Sequence, residues 1–206
     1  ISMIQVAEGG LDESANILIR LRELAIQSAS DTVGQTERSY TNMEFTQLKD
    51  ELQRISQTTE FNDVKLLDGT SDKLDFQIGA NNDQFEDRIV YDPGKINSGV
   101  EALGVSGADV GSKEGAQNSL EQIDTAIKTV SGQRAELGAL QNRLITTSAN
   151  LETSVENMSA ANSRIRDVDY AAATAKNVQN NIMKQAGISV LSQANQTPQQ
   201  ALRLIG

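Results

Sequence analysis

A row of seven apolar residues at intervals of seven constrains this chain more than any other feature. The row consists of Ile123, Val130, Leu137, Leu144, Leu151, Met158 and Ile165. Side chains that repeat every seven residues lie on one face of a slightly underwound helix. At about 1.5 Å per residue, a helix over this range would be roughly 65 Å long. Because a long helix with one apolar face needs partner helices, we expect this row to be the packing seam of a helical rod.

The neighbouring row of the same helix is mixed. Its apolar members are Leu120, Ile127 and Val155, and its polar members are Arg134, Gln141, Ser148 and Asn162. A two-stranded coiled coil has apolar residues at both seam positions. One apolar row beside a mixed row therefore favours packing among several helices of unequal length.

The amino-terminal part of the chain supplies two candidate partner helices. Residues 1–30 place apolar side chains at a spacing of three and four, which is typical of an amphipathic helix. A break around Gly34 follows, and the pattern resumes from Thr36, a plausible N-cap, to about Gln57. We expect two antiparallel helices joined by a short loop.

The period changes after the second helix. Leu74, Phe76 and Ile78 alternate with polar residues, and the alternation resumes at Ile89 and Tyr91 after a polar turn at 79–84, which predicts a β-hairpin. Residues 92–111 are rich in glycine and are expected to form a loop. The predicted fold is mainly α: an elongated antiparallel helical bundle with a small β-hairpin region and a carboxy-terminal helix. The expected divisions are 1–62 for the first rod helices, 63–111 for the hairpin and loop, 112–166 for the long rod helix and 167–206 for the last helix.

Composition excludes several classes of function. The net charge of −10 opposes nucleic acid or an anionic membrane as a partner, and no apolar run approaches the ~20 residues of a membrane span. The chain has no histidine, cysteine or tryptophan, so triads with histidine, thiol nucleophiles and histidine-ligated zinc cannot form. The acid pairs Asp167 with Asp169 and Glu86 with Asp87 fit solvated acids at a helix end and in a hairpin better than acid–base catalysis. We therefore expect no enzyme activity and no cofactor or metal site.

The composition changes abruptly after Asp169. Residues 170–206 contain no acidic side chain, only three cations, and many asparagines and glutamines. One interpretation is a frayed polar tail. The other is a helix that becomes buried in an assembly, where amides cost less to desolvate than charges. We favour the second, because a solvated tail of so acidic a protein would be expected to carry acids.

Several segments resemble bacterial flagellins. They are 18–29 (LIRLRELAIQSA), 59–67 (TEFNDVKLL), 163–171 (SRIRDVDYA) and 185–196 (QAGISVLSQANQ), and they occur in the order found in that family. The resemblance implies a self-assembling, extracellular subunit of the flagellar filament, exported unfolded by the flagellar type III apparatus. Its implied partners are further copies of the chain, an export chaperone at the carboxy-terminal segment, and hook-associated and cap proteins. From about residue 167 the chain would line the filament core.

The chain departs from the family pattern in three places. The family's amino-terminal core helix would precede Ile1, and no large variable domain separates the hairpin from the long helix. Asp63 stands where the family commonly has glycine, which would cost some energy if the turn requires a positive φ.

The resemblance also implies a receptor-binding site. Flagellins recognised by Toll-like receptor 5 present an arginine and a leucine on the first rod helix and a glutamate on the second, which correspond here to Arg20, Leu24 and Glu51. For the filament, solvated charges and seam packing are the simpler roles of these residues. Two other functions stay open: a hook–filament junction protein and a helical adhesin that does not polymerise.

Overall fold

The chain is mainly helical, with two small antiparallel sheets. The computed structural model describes residues 1–167 and 169–205, with side chains described for 1–167, 169–196 and 198. The elements, in chain order, are helices α1 (Ser2–Ala29) and α2 (Gln35–Thr58), strands β1 (Glu60–Phe61), β2 (Val64–Lys65), β3 (Leu74–Gln77) and β4 (Arg88–Tyr91), a 3-10 turn (Pro93–Lys95), and helices α3 (Lys113–Arg166) and α4 (Tyr170–Ile205). Two compact units, Ile1–Asn150 and Leu151–Gly206, divide the chain within α3.

Helices α1 and α2 confirm the predicted helical pair to within one or two residues. The prediction of Thr36 as N-cap is wrong: Gly34 occupies that position in extended conformation, and the helix already begins at Gln35. Arg38 of α2 caps the end of α1 by donating hydrogen bonds to the carbonyl oxygens of Ser28 (2.9 Å) and Ser30 (2.8 Å). These bonds satisfy carbonyl groups that have no partner inside α1.

The predicted hairpin is confirmed as β3 and β4, with Phe76 opposite Ile89 and Leu74 opposite Tyr91. The Phe76 and Tyr91 rings stack with centroids 6.3 Å apart. The smaller hairpin of β1 and β2 was not predicted. Its two-residue turn places Asn62 (φ 52°) and Asp63 (φ 63°) in the left-handed region, as a type I′ turn requires.

Helix α3 runs antiparallel to α1 within the first unit. Arg22 of α1 pairs with Asp124 (2.7 Å), whereas Arg134 pairs with both Glu8 (3.1 Å) and Asp12 (2.9 Å) near the start of α1. Arg134 is one of the polar members of the mixed row. At this position a two-helix coiled coil would have an apolar residue. Here the position is occupied by an arginine that pairs with two carboxylates of the neighbouring helix.

The loop between the 3-10 turn and α3 is held by side chains of α2 that bind its main chain. Gln53 accepts a hydrogen bond from the Val100 N–H (2.9 Å), and Asn42 accepts one from the Val110 N–H (3.2 Å). Between them, the Lys49 ammonium donates to the carbonyl oxygens of residues 106 (2.7 Å) and 108 (2.9 Å). The loop thus follows a defined course although it has no regular secondary structure.

Two side-chain caps begin the long helices. The Ser112 hydroxyl accepts a hydrogen bond from the Gly115 N–H (3.0 Å) at the start of α3. The Asp169 carboxylate accepts from the N–H groups of Ala171 (3.0 Å) and Ala172 (3.1 Å) at the start of α4. These contacts follow the preference of serine and aspartate for N-caps.

Candidate functional site

The seven-residue row has two different environments. Ile123 and Val130 are fully buried, Leu137 is 1% exposed and Leu144 is 9% exposed. The remaining three residues are exposed: Leu151 by 42%, Met158 by 65% and Ile165 by 83%.

Within the described chain, the first four residues of the row are therefore packed against other side chains and the last three are not. In the second unit, every residue from 151 to 196 whose burial is described is exposed, so no described side chain covers this part of the row. The row fixes which face of the helix is apolar, but the number of partner helices along that face depends on the rest of the chain.

Helix α4 presents an exposed apolar stripe. Tyr170 is 84% exposed, Val178 51%, Ile182 60% and Met183 58%. Together with smaller side chains at a spacing of three and four, these residues form one continuous face that we call the α4 stripe: Tyr170, Ala171, Thr174, Ala175, Val178, Gln179, Ile182 and Met183. A contiguous exposed apolar surface of this kind marks an interaction site.

One acid of each pair has a structural role, and Asp87 is not the solvated acid that we expected. Asp169 caps α4. Asp87 is buried, and its carboxylate accepts a hydrogen bond from the Asp83 N–H (3.1 Å) at the hairpin turn. Among the residues described, no group of three or more acidic side chains is arranged to hold a metal ion.

Arg20 lies in an exposed ion-pair cluster between α1 and α2. Its Nε and Nη2 donate to the same oxygen of Glu44, at 2.9 and 2.7 Å, and its Nη1 donates to Glu23 at 3.0 Å. The hydrogen bonds that Arg20 donates to Glu44 and then to Glu23 raise the pKa of its guanidinium. We call Arg20, Glu23 and Glu44 the Arg20 cluster.

The other two residues of the receptor hypothesis lie outside this cluster. Leu24 is only 2% exposed and belongs to the core, and Glu51 pairs with Arg54 at 2.6 Å. The hydrogen bond from Arg54 lowers the pKa of Glu51. The structure therefore places Arg20 beside Glu44, a residue that the sequence interpretation missed.

The helix boundaries carry the signal that identifies Glu44. Arg20 lies nine residues before Ala29, the end of α1, and Glu44 lies nine residues after Gln35, the start of α2. In an antiparallel helix pair joined by a short turn, residues equally far from the turn face each other. By the same count, Glu51 lies about two turns farther from the loop than Arg20 does.

Comparison with known protein families identifies the family of this chain. A family model for the bacterial flagellin N-terminal helical region matches residues 1–72, and one for the bacterial flagellin C-terminal helical region matches residues 120–205. The chain belongs to the bacterial flagellin family. It is therefore a structural, non-enzymatic subunit of the extracellular flagellar filament, the polymer that serves bacterial motility.

Individual flagellins match this one along its whole length. The flagellin of Halalkalibacterium halodurans is 43% identical over 205 residues, which cover 100% of this chain and 74% of that relative. The flagellin of Bacillus subtilis is 40% identical, with 100% of this chain and 77% of the relative covered. The crystal structure of Bacillus cereus flagellin superimposes with a TM-score of 0.64 and 28% identity, covering 78% of this chain and 90% of that one. Within its described part, this flagellin has no helix with both the length and the apolar character that crossing a membrane requires.

Proposed function

We propose that this flagellin assembles through the apolar faces that its second unit leaves exposed. The observation that carries the proposal is the α4 stripe, an apolar face on a helix without acidic side chains. Burial of exposed apolar surface favours association, because each Å² removed from water contributes about 25 cal/mol of free energy. The absence of acids removes the repulsion and desolvation costs that carboxylates would add at an interface between identical subunits. In this proposal, α4 lines the filament core.

The exposed end of the seven-residue row extends the same argument to α3. Leu151, Met158 and Ile165 continue the periodicity of the buried residues but have no described cover. Neighbouring subunits would supply the missing partner helices. The residues from Ile123 to Leu144 would then pack in the core of the subunit, and those from Leu151 to Ile165 would pack against neighbouring subunits.

A substitution in the α4 stripe tests this proposal against a matched control. Ile182→Glu places a charge in the stripe, and we expect it to prevent the elongation of filament seeds because an unpaired buried charge is costly. Ser131→Glu adds the same charge at an exposed position of α3 in the first unit, outside the proposed interface, and should leave elongation nearly unchanged. Sedimentation of seeded reactions measures both. Equal elongation by Ile182→Glu and wild type would contradict the proposal.

We also propose that the monomer is a ligand of Toll-like receptor 5, with the Arg20 cluster at the contact. The support is the flagellin resemblance of residues 18–29 together with the exposure of the cluster, in which the Arg20 side chain is 48% and the Glu44 side chain 47% exposed. Because Leu24 is buried, it would not touch the receptor but would pack in the core beneath the Arg20 cluster. Glu51, the residue first matched to the family's glutamate, lies in a separate ion pair.

A receptor reporter assay on soluble monomer separates these roles. Arg20→Ala and Glu44→Ala should lower the response strongly, because a charged contact residue is removed in each case. Glu51→Ala is the matched control: it also removes one exposed α2 carboxylate paired with an arginine. If Arg20→Ala and Glu51→Ala lower the response and Glu44→Ala does not, the assignment implied by the resemblance holds instead, and if none of the three lowers it, the proposed receptor contact is refuted.

The remaining partners are proposed from the resemblance. An export chaperone would hold the carboxy-terminal segment before assembly, and the α4 stripe offers it an apolar face. Hook-associated and cap proteins would contact the ends of the polymer. Binding of the purified chaperone to wild type but not to a chain truncated before Tyr170 would test the first of these contacts.

A further inference from the structure

The tip of the larger hairpin presents an aromatic ring to solvent. Phe85 is 87% exposed, which is more than any other exposed large hydrophobic residue in the described part of the chain. The turn around it is ordered: the Asp83 carboxylate accepts hydrogen bonds from the N–H groups of Phe85 (2.7 Å) and Glu86 (2.9 Å). The ring is therefore held outward by a fixed turn and is flanked by carboxylates.

A cavity of about 400 Å³ lies elsewhere in the same unit, between β4, the 3-10 turn and α3. Its apolar lining includes Val90, Ala139 and Leu140, which have exposed surface, and the buried residues Tyr91, Ile96 and Leu137 below them. A cavity of roughly 150 Å³ is large enough to bind benzene, so this one has room for a phenyl ring and its attached backbone.

The rim of the cavity has more cations than acids. Lys73, Lys95 and Arg143 contribute positive charge, and Asp92 and Glu136 contribute negative charge. Lys73 lies 3.7 Å from Asp92, so the remaining charged residues that line the cavity are two cations, Lys95 and Arg143, and one carboxylate, Glu136. The rim thus suits an apolar group accompanied by carboxylates, which is the chemistry of the hairpin tip.

The hairpin tip cannot reach the cavity of its own chain. Strand β4 starts near the tip and ends at the cavity, where Tyr91 lies, six residues after Phe85. At about 3.3 Å per residue, an extended strand keeps the two sites well over 10 Å apart. Only another molecule can bring a Phe85 ring to this cavity.

We propose that the hairpin tip of one flagellin inserts Phe85 into this cavity of a second copy. The two surfaces are different parts of the same chain, so the contact joins subunits head to tail. Such heterologous contacts generate open helical polymers when the rotation does not close a ring. Carboxylates beside the ring, chiefly Glu86, would face Lys95 and Arg143 at the rim. The inference rests on the proposed function, since it assumes that the chain polymerises.

Cysteine cross-linking tests the contact directly, because the chain contains no cysteine. Subunits carrying Gln84→Cys, which keeps the Phe85 ring, are mixed with subunits carrying Ala139→Cys, an exposed residue that lines the cavity, and are then assembled on wild-type seeds and oxidised. Disulfides need Cα atoms about 4.4–6.8 Å apart, so we expect covalent dimers in filaments and none in monomers at equal concentration. Tyr40→Cys, an exposed position on α2, replaces Gln84→Cys in the control mixture and should give no dimers.

A second variant does not depend on disulfide geometry. Phe85→Ser removes the ring from an exposed turn, so folding should be unaffected, and the critical concentration for elongation should rise about tenfold, as for the truncation of a hot-spot residue. Failure of wild-type subunits to elongate would refute the assembly proposal itself. Normal wild-type filaments with no dimers between Gln84→Cys and Ala139→Cys subunits, and an unchanged critical concentration in Phe85→Ser, would refute this contact alone.

Discussion

The clearest test of the seven-residue row compares two leucines on the same helix. Leu137 and Leu151 share residue type, helix and position in the seven-residue period, but Leu137 is 1% and Leu151 42% exposed. Truncation of a buried leucine to alanine removes its transfer free energy and leaves a cavity, which together cost about 2–5 kcal/mol. At an exposed position the cost falls to within about 0.5 kcal/mol. We expect Leu137→Ala to destabilise the monomer strongly and Leu151→Ala to leave it nearly unchanged.

Urea unfolding of the monomer, followed by far-UV circular dichroism, measures the difference. This probe suits the chain because it is rich in helix and has no tryptophan. With an unchanged slope, the shift of the midpoint reports the loss in free energy of unfolding. The order should reverse in assembly, where Leu151→Ala should raise the critical concentration. Equal losses of monomer stability for the two variants would refute the assignment of buried and exposed halves.

Three further predictions concern single residues. Asp63→Gly should raise the free energy of unfolding by about 1 kcal/mol, because glycine relieves the left-handed φ of 63°, whereas Asp72→Gly should not; thermal melting measures both. Burial, followed by the charge of Glu136, raises the pKa of Tyr91 to about 12, so the folded state favours the neutral phenol. The contribution of Tyr91 to stability should therefore be constant below about pH 10 and be lost between about pH 10 and 12, and a comparison of unfolding curves should show that Tyr91→Phe lacks this loss. Asp169→Ala removes the cap and should destabilise the start of α4 by about 1 kcal/mol. Circular dichroism should show a loss of helicity in Asp169→Ala but not in Asp169→Asn, because asparagine can also cap a helix.

The sequence predicted the elements well because their periods differ clearly. The spacing of three and four in the first 57 residues gave both α1 and α2, and the alternation around Phe76 and Ile89 gave β3 and β4. The small hairpin was missed because its strands have two residues each, too few to show a period. Its signal was the dipeptide Asn62–Asp63, whose residue types tolerate the positive φ values of a type I′ turn.

The burial of the seven-residue row and the partner of Arg20 could not be obtained from periodicity. A period identifies the apolar face of a helix, but Leu144 and Ile165 differ in exposure because of what packs on them, which is a property of the whole fold. The pairing of Arg20 with Glu44 depends on where two helices end and begin, so an error of a few residues in the loop would change the partner.

The hydrogen bonds by which α2 holds the loop before α3 have a consequence for how far the sequence of this loop can vary. Gln53, Lys49 and Asn42 bind main-chain groups, which every residue type except proline provides in full. Buried residues alternate with exposed ones here, so Leu103 and Val105 must stay apolar while Glu101 and Ser106 face solvent. The solvent-facing positions are consequently free to diverge without altering the course of the chain, except at Gly104, whose φ of 71° favours glycine. Antibodies raised against this loop would then distinguish bacterial strains whose loop sequences differ, even though the backbone is the same. Other side chains could likewise be introduced there without a change in the backbone.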